Sequence, residues 1–531
     1  MSVKATWKVS AAVMASRVLG LIRDQVFAFM FGYGVLTDCF NIAFRIPNLL
    51  RDLFAEGALS QAFVTIFSKR IKESGPESAW PLAARMITIV AILMSVITLL
   101  GIIFSPQLVH LLTSFGSKTF GPEEVALTVK MTRIMWPFML LVSLAALVMG
   151  ILNSRKIFGI PALSSCFFNL GSIIAGSGIG LWMDPQCGPR TMIGMSIGVL
   201  VGGLGQLLFQ LPSLHRLGFR FRPNWNWNDS DVRRIFGLMG PAVISASVVQ
   251  INVVINSQFA TSIGPSAVSA LNGAFRLMQL PIGVFGVAVA TVTLPAMALA
   301  ATGKLGDEFR SVLSRGLRLV AFLVLPSALG LCFLAEPIIS ALFEHGRFTV
   351  ANRISTASAL QGYGIGLLAY SWLKVLQPAF YAADRRWVPM LVSFFAIVMS
   401  VSLNWYFVVV QGMGIQSLAL TTSMVAVANF IILYFVMSRI TSGLETCALF
   451  VVLAKLCLAG LALVGVCKVA NSYLFTDLAA MSSFARVAWL GVVIPFAGVV
   501  YFAIARVLKV EEAGEFMGIV QRRFKKNSAS D

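Results

Sequence analysis

Long apolar runs follow one another along almost the whole chain. Read against the roughly 20 apolar residues that a bilayer-spanning helix needs, they number about fourteen: 7–30, 36–68, 82–104, 126–152, 158–182, 190–212, 235–262, 267–300, 311–334, 355–382, 387–410, 415–438, 446–470 and 484–508. Only 12% of the residues are charged and 58% are hydrophobic, against about 25% charged in a soluble domain. An all-α polytopic membrane protein is expected, with no soluble stretch long enough to fold separately. Several runs exceed the minimum, which predicts tilted or broken helices. The second run carries Pro47, which removes a backbone donor and predicts a break there.

The chain has 41 Lys and Arg against 22 Asp and Glu, a net charge of +19. In a membrane protein such an excess marks cytoplasmic loops rather than a nucleic-acid partner. With the N-terminus placed inside, about 25 basic residues fall in cytoplasmic segments and about 5 in the opposite loops, which predicts both termini in the cytoplasm. Lys4 and Lys8 precede an apolar run as in a signal peptide. Arg17 and Arg23 interrupt that run and no small-residue cleavage site closes it, so a retained first helix is expected.

Catalytic and metal motifs are sparse. The seven cysteines form no CxxC pair, His110, His215 and His345 stand far apart, and there is no Walker A sequence. Asp52 and Glu56 have an i,i+4 spacing that a divalent cation would accept, but such a pair after an arginine is more often a feature of a helix end. The expectation is a transporter with no catalytic residue, no metal and no cofactor; a coupling ion or the membrane potential stays open as its driving force.

Charges inside the apolar runs are the informative ones. A charge near the centre of a membrane helix costs roughly 2.5–3.5 kcal/mol on insertion scales, yet Arg17, Arg23, Arg45, Arg51, Arg276 and Lys374 sit deep within predicted spans. Asp24, Asp38, Asp52 and Glu56, all in the first two spans, are the carboxylates expected well inside one. A guanidinium stays charged and grips phosphate bidentately, so these residues point to a wet cavity for an anionic, phosphate-bearing substrate. The competing reading is an ion-pair network that fixes the first two helices together. Arg85, Lys130, Arg133, Lys455 and Arg486 lie near span ends, where snorkelling accounts for them.

An internal echo predicts two lobes. AFRIPNLLRDLFAEGALSQAF around Arg45 aligns with AFRLMQLPIGVFGVAVATVTL around Arg276, and positions matching Arg17, Arg23 and Arg51 are Val248, Val254 and Ile282. Each copy falls in the second helix of a six-helix set, a parallel repeat of the kind that binds substrate between its halves. The expected domains are 1–230 and 231–440 as two six-helix lobes, 441–510 as two further helices, and 511–531 as a basic tail. Ala12, Ser16 and Gly20, and Gly362 with Gly366, form small-residue ridges suited to close helix packing. The loop HRLGFRFRPNWNWNDSDVRR mixes arginines with Trp225 and Trp227 and reads as an anchor against anionic headgroups.

SRVLGLIRD, then TDCFNIAFRIPNLLRDLFAEGALSQAFVTIF, closely resembles the start of the MurJ (MviN) family. These are lipid II flippases of the multidrug/oligosaccharidyl-lipid/polysaccharide exporter superfamily. RLMQLPIGVFGVAVATVTLP from Arg276, LFEHGRFT at Leu342–Thr349 and KVLQPAFYA at Lys374–Ala382 extend the resemblance over nearly the whole chain. It implies two six-helix lobes in a V, opening alternately to each side of the bacterial inner membrane, plus two C-terminal helices with a lipid-tail groove. The cargo implied is the undecaprenyl-pyrophosphate-linked peptidoglycan precursor. Arg17, Arg23, Arg51 and Arg276 resemble the family's cavity arginines and Asp38 the acid near them, with Arg45, Asp24, Lys374 and Glu56 as further candidates. Where relatives commonly read Asp-Arg-Leu-Met-Glu, this chain has Phe275-Arg276-Leu277-Met278-Gln279, which makes the site more positive. Alternatives at this stage are a flippase for another polyprenyl-linked glycan, a drug or cation antiporter of the same superfamily, and a polyprenyl-phosphate transferase. Membrane lipids and a cell-wall synthesis complex are further partners to consider.

Overall fold

The architecture comes from a computed structural model that describes residues 3–52, 59–114, 120–301 and 306–514; the side chains at 3–11, 13, 61, 241, 242, 244–246, 248 and 249 also lie outside the description. Among the described residues every regular element is helical. In chain order these are α1 (Val3–Phe31), α2 (Val35–Leu50), α3 (Leu59–Ser74), α4 (Trp80–Thr113), α5 (Pro122–Met135), α6 (Pro137–Ser154), α7 (Gly159–Met183), α8 (Pro189–Leu208), α9 (Leu211–Arg216), α10 (Ser230–Ile263), α11 (Ala267–Pro281), α12 (Val287–Ala300), α13 (Asp307–Phe333), α14 (Ala335–Phe343), α15 (Val350–Ala382), α16 (Trp387–Asn404), α17 (Ile415–Ile440), α18 (Thr446–Tyr473) and α19 (Ser483–Val507).

Ten helical segments among the described residues are long and apolar enough to cross a membrane. The other four ranges expected from the sequence are helical as far as they are described: 7–30 is α1, the described part of 36–68 is α2 and α3, 235–262 is α10 and 355–382 is α15. Pro47 lies inside α2, three residues before its end. Large apolar side chains point outward, with Trp182 85% and Phe484 84% exposed. So dense an apolar surface marks a multi-pass membrane protein, because water would not tolerate patches of that extent.

The chain clusters into two compact units: residues 1–269 with 345–348, and residues 270–344 with 349–531. Helix α10, which the sequence reading assigns to a second lobe, packs on α3 and α4 and belongs to the first unit. There Phe63 and Phe67 of α3, Leu82, Met86 and Ile89 of α4, Ile151 of α6, and Val232 and Ile235 of α10 form a shared core.

Helices α7 and α8 approach each other closely within the first unit. Gly171 faces Gly202, Gly176 faces Gly198 and Gly180 faces Gly194, and a Cβ on any of Gly171, Gly194 or Gly198 would land on the partner glycine's backbone. Membrane helices lack a hydrophobic drive to associate, so such small-residue seams replace it with backbone-level van der Waals contact. Gly198→Leu should force the pair apart and lower the melting temperature in detergent, at a cost of about 1–3 kcal/mol or more. A Leu variant melting like wild type would show that the seam is not tight.

The second unit is built around α15, which packs against α12, α13, α14 and α17. The small ridge expected at Gly362 and Gly366 meets Ala419 and Ser423 of α17, and the Ser423 hydroxyl donates to the Gly362 carbonyl at 2.7 Å. Helix α18 lies on α13, and α19 on α18. Among the described residues of this unit, π-helical turns interrupt the regular winding at Ile282–Gly286 and Trp405–Val410. The first follows Pro281, whose missing donor accounts for the change of register.

Candidate functional site

Helix α1 runs unbroken through Arg17, Arg23 and Asp24. At 100° per residue Arg17 and Asp24 share a face, while Arg23 is a third of a turn away. The expected ridge of Ala12, Ser16 and Gly20 faces α7, where the Asn169 amide donates to the Ser16 carbonyl at 3.1 Å. A Cβ at Gly20 would sit 3.7 Å from the same amide, an ordinary van der Waals contact. With that ridge turned to α7, the Arg17 side chain is exposed and Arg23 is half-buried.

Arg23 is held in two ways: its guanidinium stacks over the Phe168 ring of α7 at 5.6 Å, and Nη2 pairs with Asp24 Oδ1 at 3.3 Å. Arg51 similarly donates through Nε and Nη2 to Asp52 Oδ1 at 3.2 and 2.9 Å. Both of these pairs join neighbouring residues in sequence. Arg45 is half-buried on α2. Glu56 lies outside the described residues.

Asp38 has a different setting from the arginines. It is fully buried on the first turn of α2, and its Oδ1 accepts the Ser269 backbone N–H at 2.8 Å and the Ser269 hydroxyl at 2.5 Å. Asn41, one turn further along α2, donates to the Ser269 hydroxyl at 3.0 Å. Ser269 stands in the first turn of α11, where backbone N–H groups lack helical partners and favour a carboxylate. Asp38 thus caps a helix start, and among the described residues its hydrogen bonds go to Ser269 rather than to an arginine.

Arg276 and Lys374 belong to the second unit. Arg276 is exposed on α11 between the buried Ala274 and the buried pair Leu277 and Met278. Phe275 packs edge-on against Tyr363 of α15 at 5.5 Å, and its ring anchors the helix there. Lys374 is exposed on α15, three residues after Ser371, which lies against Gly286 of the π-helical turn.

Several charged residues have a role that the sequence reading missed. Arg85 and Arg486 do not snorkel. Arg85 pairs with Asp229 at the N-terminus of α10, and Arg70 with Asp231 beside it. Arg486 is buried on α19, with Nη1 3.4 Å from Glu344 Oε2, while Arg353 of α15 donates to both Glu344 oxygens at 2.8 and 3.0 Å. Arg318 of α13 bridges Glu445 and Glu512, at 2.9 Å each. Helices α18 and α19 are therefore fastened to the second unit by arginines. The LFEHGRFT motif divides at this place. Glu344 serves the second unit, whereas Arg347 reaches the carbonyls of Gln186 and Cys187 at 2.7 and 3.1 Å within the first.

The model of the family described as "Lipid II flippase MurJ" matches residues 27–488. The chain is 35% identical to the probable lipid II flippase MurJ of Vibrio cholerae, over 80% of this chain and 81% of the relative. It is 34% identical to the lipid II flippase MurJ of Burkholderia cenocepacia, over 81% and 83%. A solved structure of lipid II flippase MurJ in an inward closed conformation superposes with a TM-score of 0.76 at 25% identity, covering 94% of this chain and 98% of that one. An inward-facing multidrug resistance MATE transporter shares the fold, with a TM-score of 0.64 at 16% identity over 82% of this chain and 99% of its own. The match runs from the end of α1 into α19, and on that extent the chain belongs to the lipid II flippase MurJ family.

Proposed function

We propose that this chain moves lipid II, the undecaprenyl-pyrophosphate-linked disaccharide-peptide, from the cytoplasmic to the outer leaflet of the bacterial inner membrane by alternating access. One observation carries the reading for this particular chain. Arg17 is exposed midway along a 29-residue helix in a protein of a family named for lipid II flipping. An exposed guanidinium at that depth is tolerated where water or an anion meets it. Arg17, Arg23, Arg51 and Arg276 are the groups we assign to the diphosphate and its attached headgroup, with Arg45 and Lys374 adding positive potential. Asp24 orients Arg23, and Asp38 acts by positioning α2 on the start of α11. Pairing cations with the diphosphate lowers the net charge that must cross the membrane, and a coupling ion or the membrane potential completes the cycle. The distribution of Lys and Arg supports cytoplasmic termini.

Binding tests this assignment directly. Purified full-length protein in nanodiscs should retain lipid II, and undecaprenyl diphosphate should displace it far better than undecaprenyl monophosphate. Arg51→Ala should weaken retention by about tenfold or more, the usual worth of a charge-assisted hydrogen bond. Equal displacement by undecaprenol would show that the tail, not the diphosphate, is gripped.

A further inference from the structure

The segment joining α9 to α10 is not used by the transport reading, and its construction is specific. Its inward side is fixed to the first unit. Phe219 is 5% exposed and packs on Trp80 at 5.5 Å, and the Asn224 N–H donates to Thr88 Oγ1 at 3.3 Å. The two acids that follow are turned the same way, Asp229 toward Arg85 and Asp231 toward Arg70. Between these anchors the backbone is bent by its own side chains. Asn224 Oδ1 accepts the Asn226 N–H at 3.2 Å, and Asn226 Oδ1 accepts the Asn228 N–H at 3.1 Å.

The residues between the anchors are exposed. Trp225 is 64% exposed and Trp227 47%, beside the exposed Phe221. Arg220, Arg222 and Arg234 are exposed on the same stretch, and the carboxylates that would neutralise them are engaged with Arg70 and Arg85. The outer face is therefore aromatic and cationic, on a backbone held in shape before any ligand arrives. Indole rings settle at the headgroup level of a bilayer, and arginines close to an anionic surface each gain from its potential.

We propose that residues 216–234 form a fixed platform that binds anionic phospholipid headgroups, with Trp225 and Trp227 inserted at the interface and Arg220 and Arg222 against the phosphates. The charge complementarity selects a lipid surface as occupant, and the platform holds α10 at a set depth, because Asp229 also caps that helix through the N–H groups of Asp231 and Val232.

The test uses the full chain reconstituted into vesicles containing brominated phosphatidylglycerol or, separately, brominated phosphatidylcholine at equal mole fraction. The fluorescence difference between wild type and Trp225→Phe/Trp227→Phe isolates these two indoles from the others. Their quenching should be at least about twofold stronger with the anionic lipid, given roughly fivefold enrichment per arginine at such a surface. The preference should vanish in Arg220→Gln/Arg222→Gln, assayed in the same way. Equal quenching by the two lipids would overturn the headgroup assignment. Absence of quenching by either would place the segment in water, as a surface for a soluble partner, and would overturn the proposal as a whole. A melting temperature of the Phe variant equal to wild type ensures that the difference spectrum compares folded proteins.

Discussion

Replacing Arg17 or Arg276 by alanine should abolish rescue of a strain depleted of its own lipid II flippase, with the variant still inserted at wild-type level. Both side chains are exposed on helices, so truncation removes a charge without opening a core cavity, and loss of function would not be loss of fold. Each bidentate contact to phosphate that disappears is worth about 1.5–3 kcal/mol, or tenfold to a hundredfold in affinity. Lysine keeps the charge but lacks the planar fork, so Arg17→Lys and Arg276→Lys should rescue partially. Growth of both alanine variants at the wild-type rate, with immunoblots showing equal membrane levels, would remove these arginines from the site.

Glu344→Ala should be the most destabilising single change in the second unit. Glu344 lies between two arginines of separate helices, Arg353 on α15 and Arg486 on α19, and both it and Arg486 are less than a tenth exposed. Its Oε2 also accepts the Ser340 hydroxyl of α14 at 2.5 Å. Removing the carboxylate leaves two buried cations facing each other without a counter-charge, and breaking a buried pair in this way costs about 3–5 kcal/mol. Arg486→Met should cost less, because Glu344 keeps Arg353 and the methionine fills part of the volume. Melting temperatures in detergent should therefore rank wild type, Arg486→Met, Glu344→Ala from highest to lowest. An alanine variant as stable as wild type would mean that the triad contributes nothing to holding α14, α15 and α19 together.

Much of this protein was legible before its structure. The apolar runs gave the positions of most of the described helices, because length and hydropathy decide whether a segment enters a bilayer, although α4 runs on to Thr113 and α14 was not expected. Arg17, Arg23 and Arg51 stood out because a charge in an apolar run is costly. Partners were harder to read, since pairing depends on which helices meet. Arg85 and Asp229 are 144 residues apart in the chain, and Arg486 and Glu344 are 142 apart. Seen without those partners, each arginine resembled a side chain reaching for the headgroups. The hydrogen bonds of Asp38 to Ser269, 231 residues away, were hidden for the same reason. Glycine spacing predicted the α15 ridge correctly in kind, but the tighter α7–α8 seam went unnoticed because its glycines are spread over two helices.

Lipid II flipping itself is best tested by toxin-cleavage accessibility of the headgroup on the outer face of the inner membrane, after rapid depletion of this protein. The account predicts a fall in accessible lipid II with accumulation on the cytoplasmic side. Unchanged accessibility, in a strain lacking any second flippase, would contradict it and assign the arginine-lined helices to another polyprenyl-linked cargo.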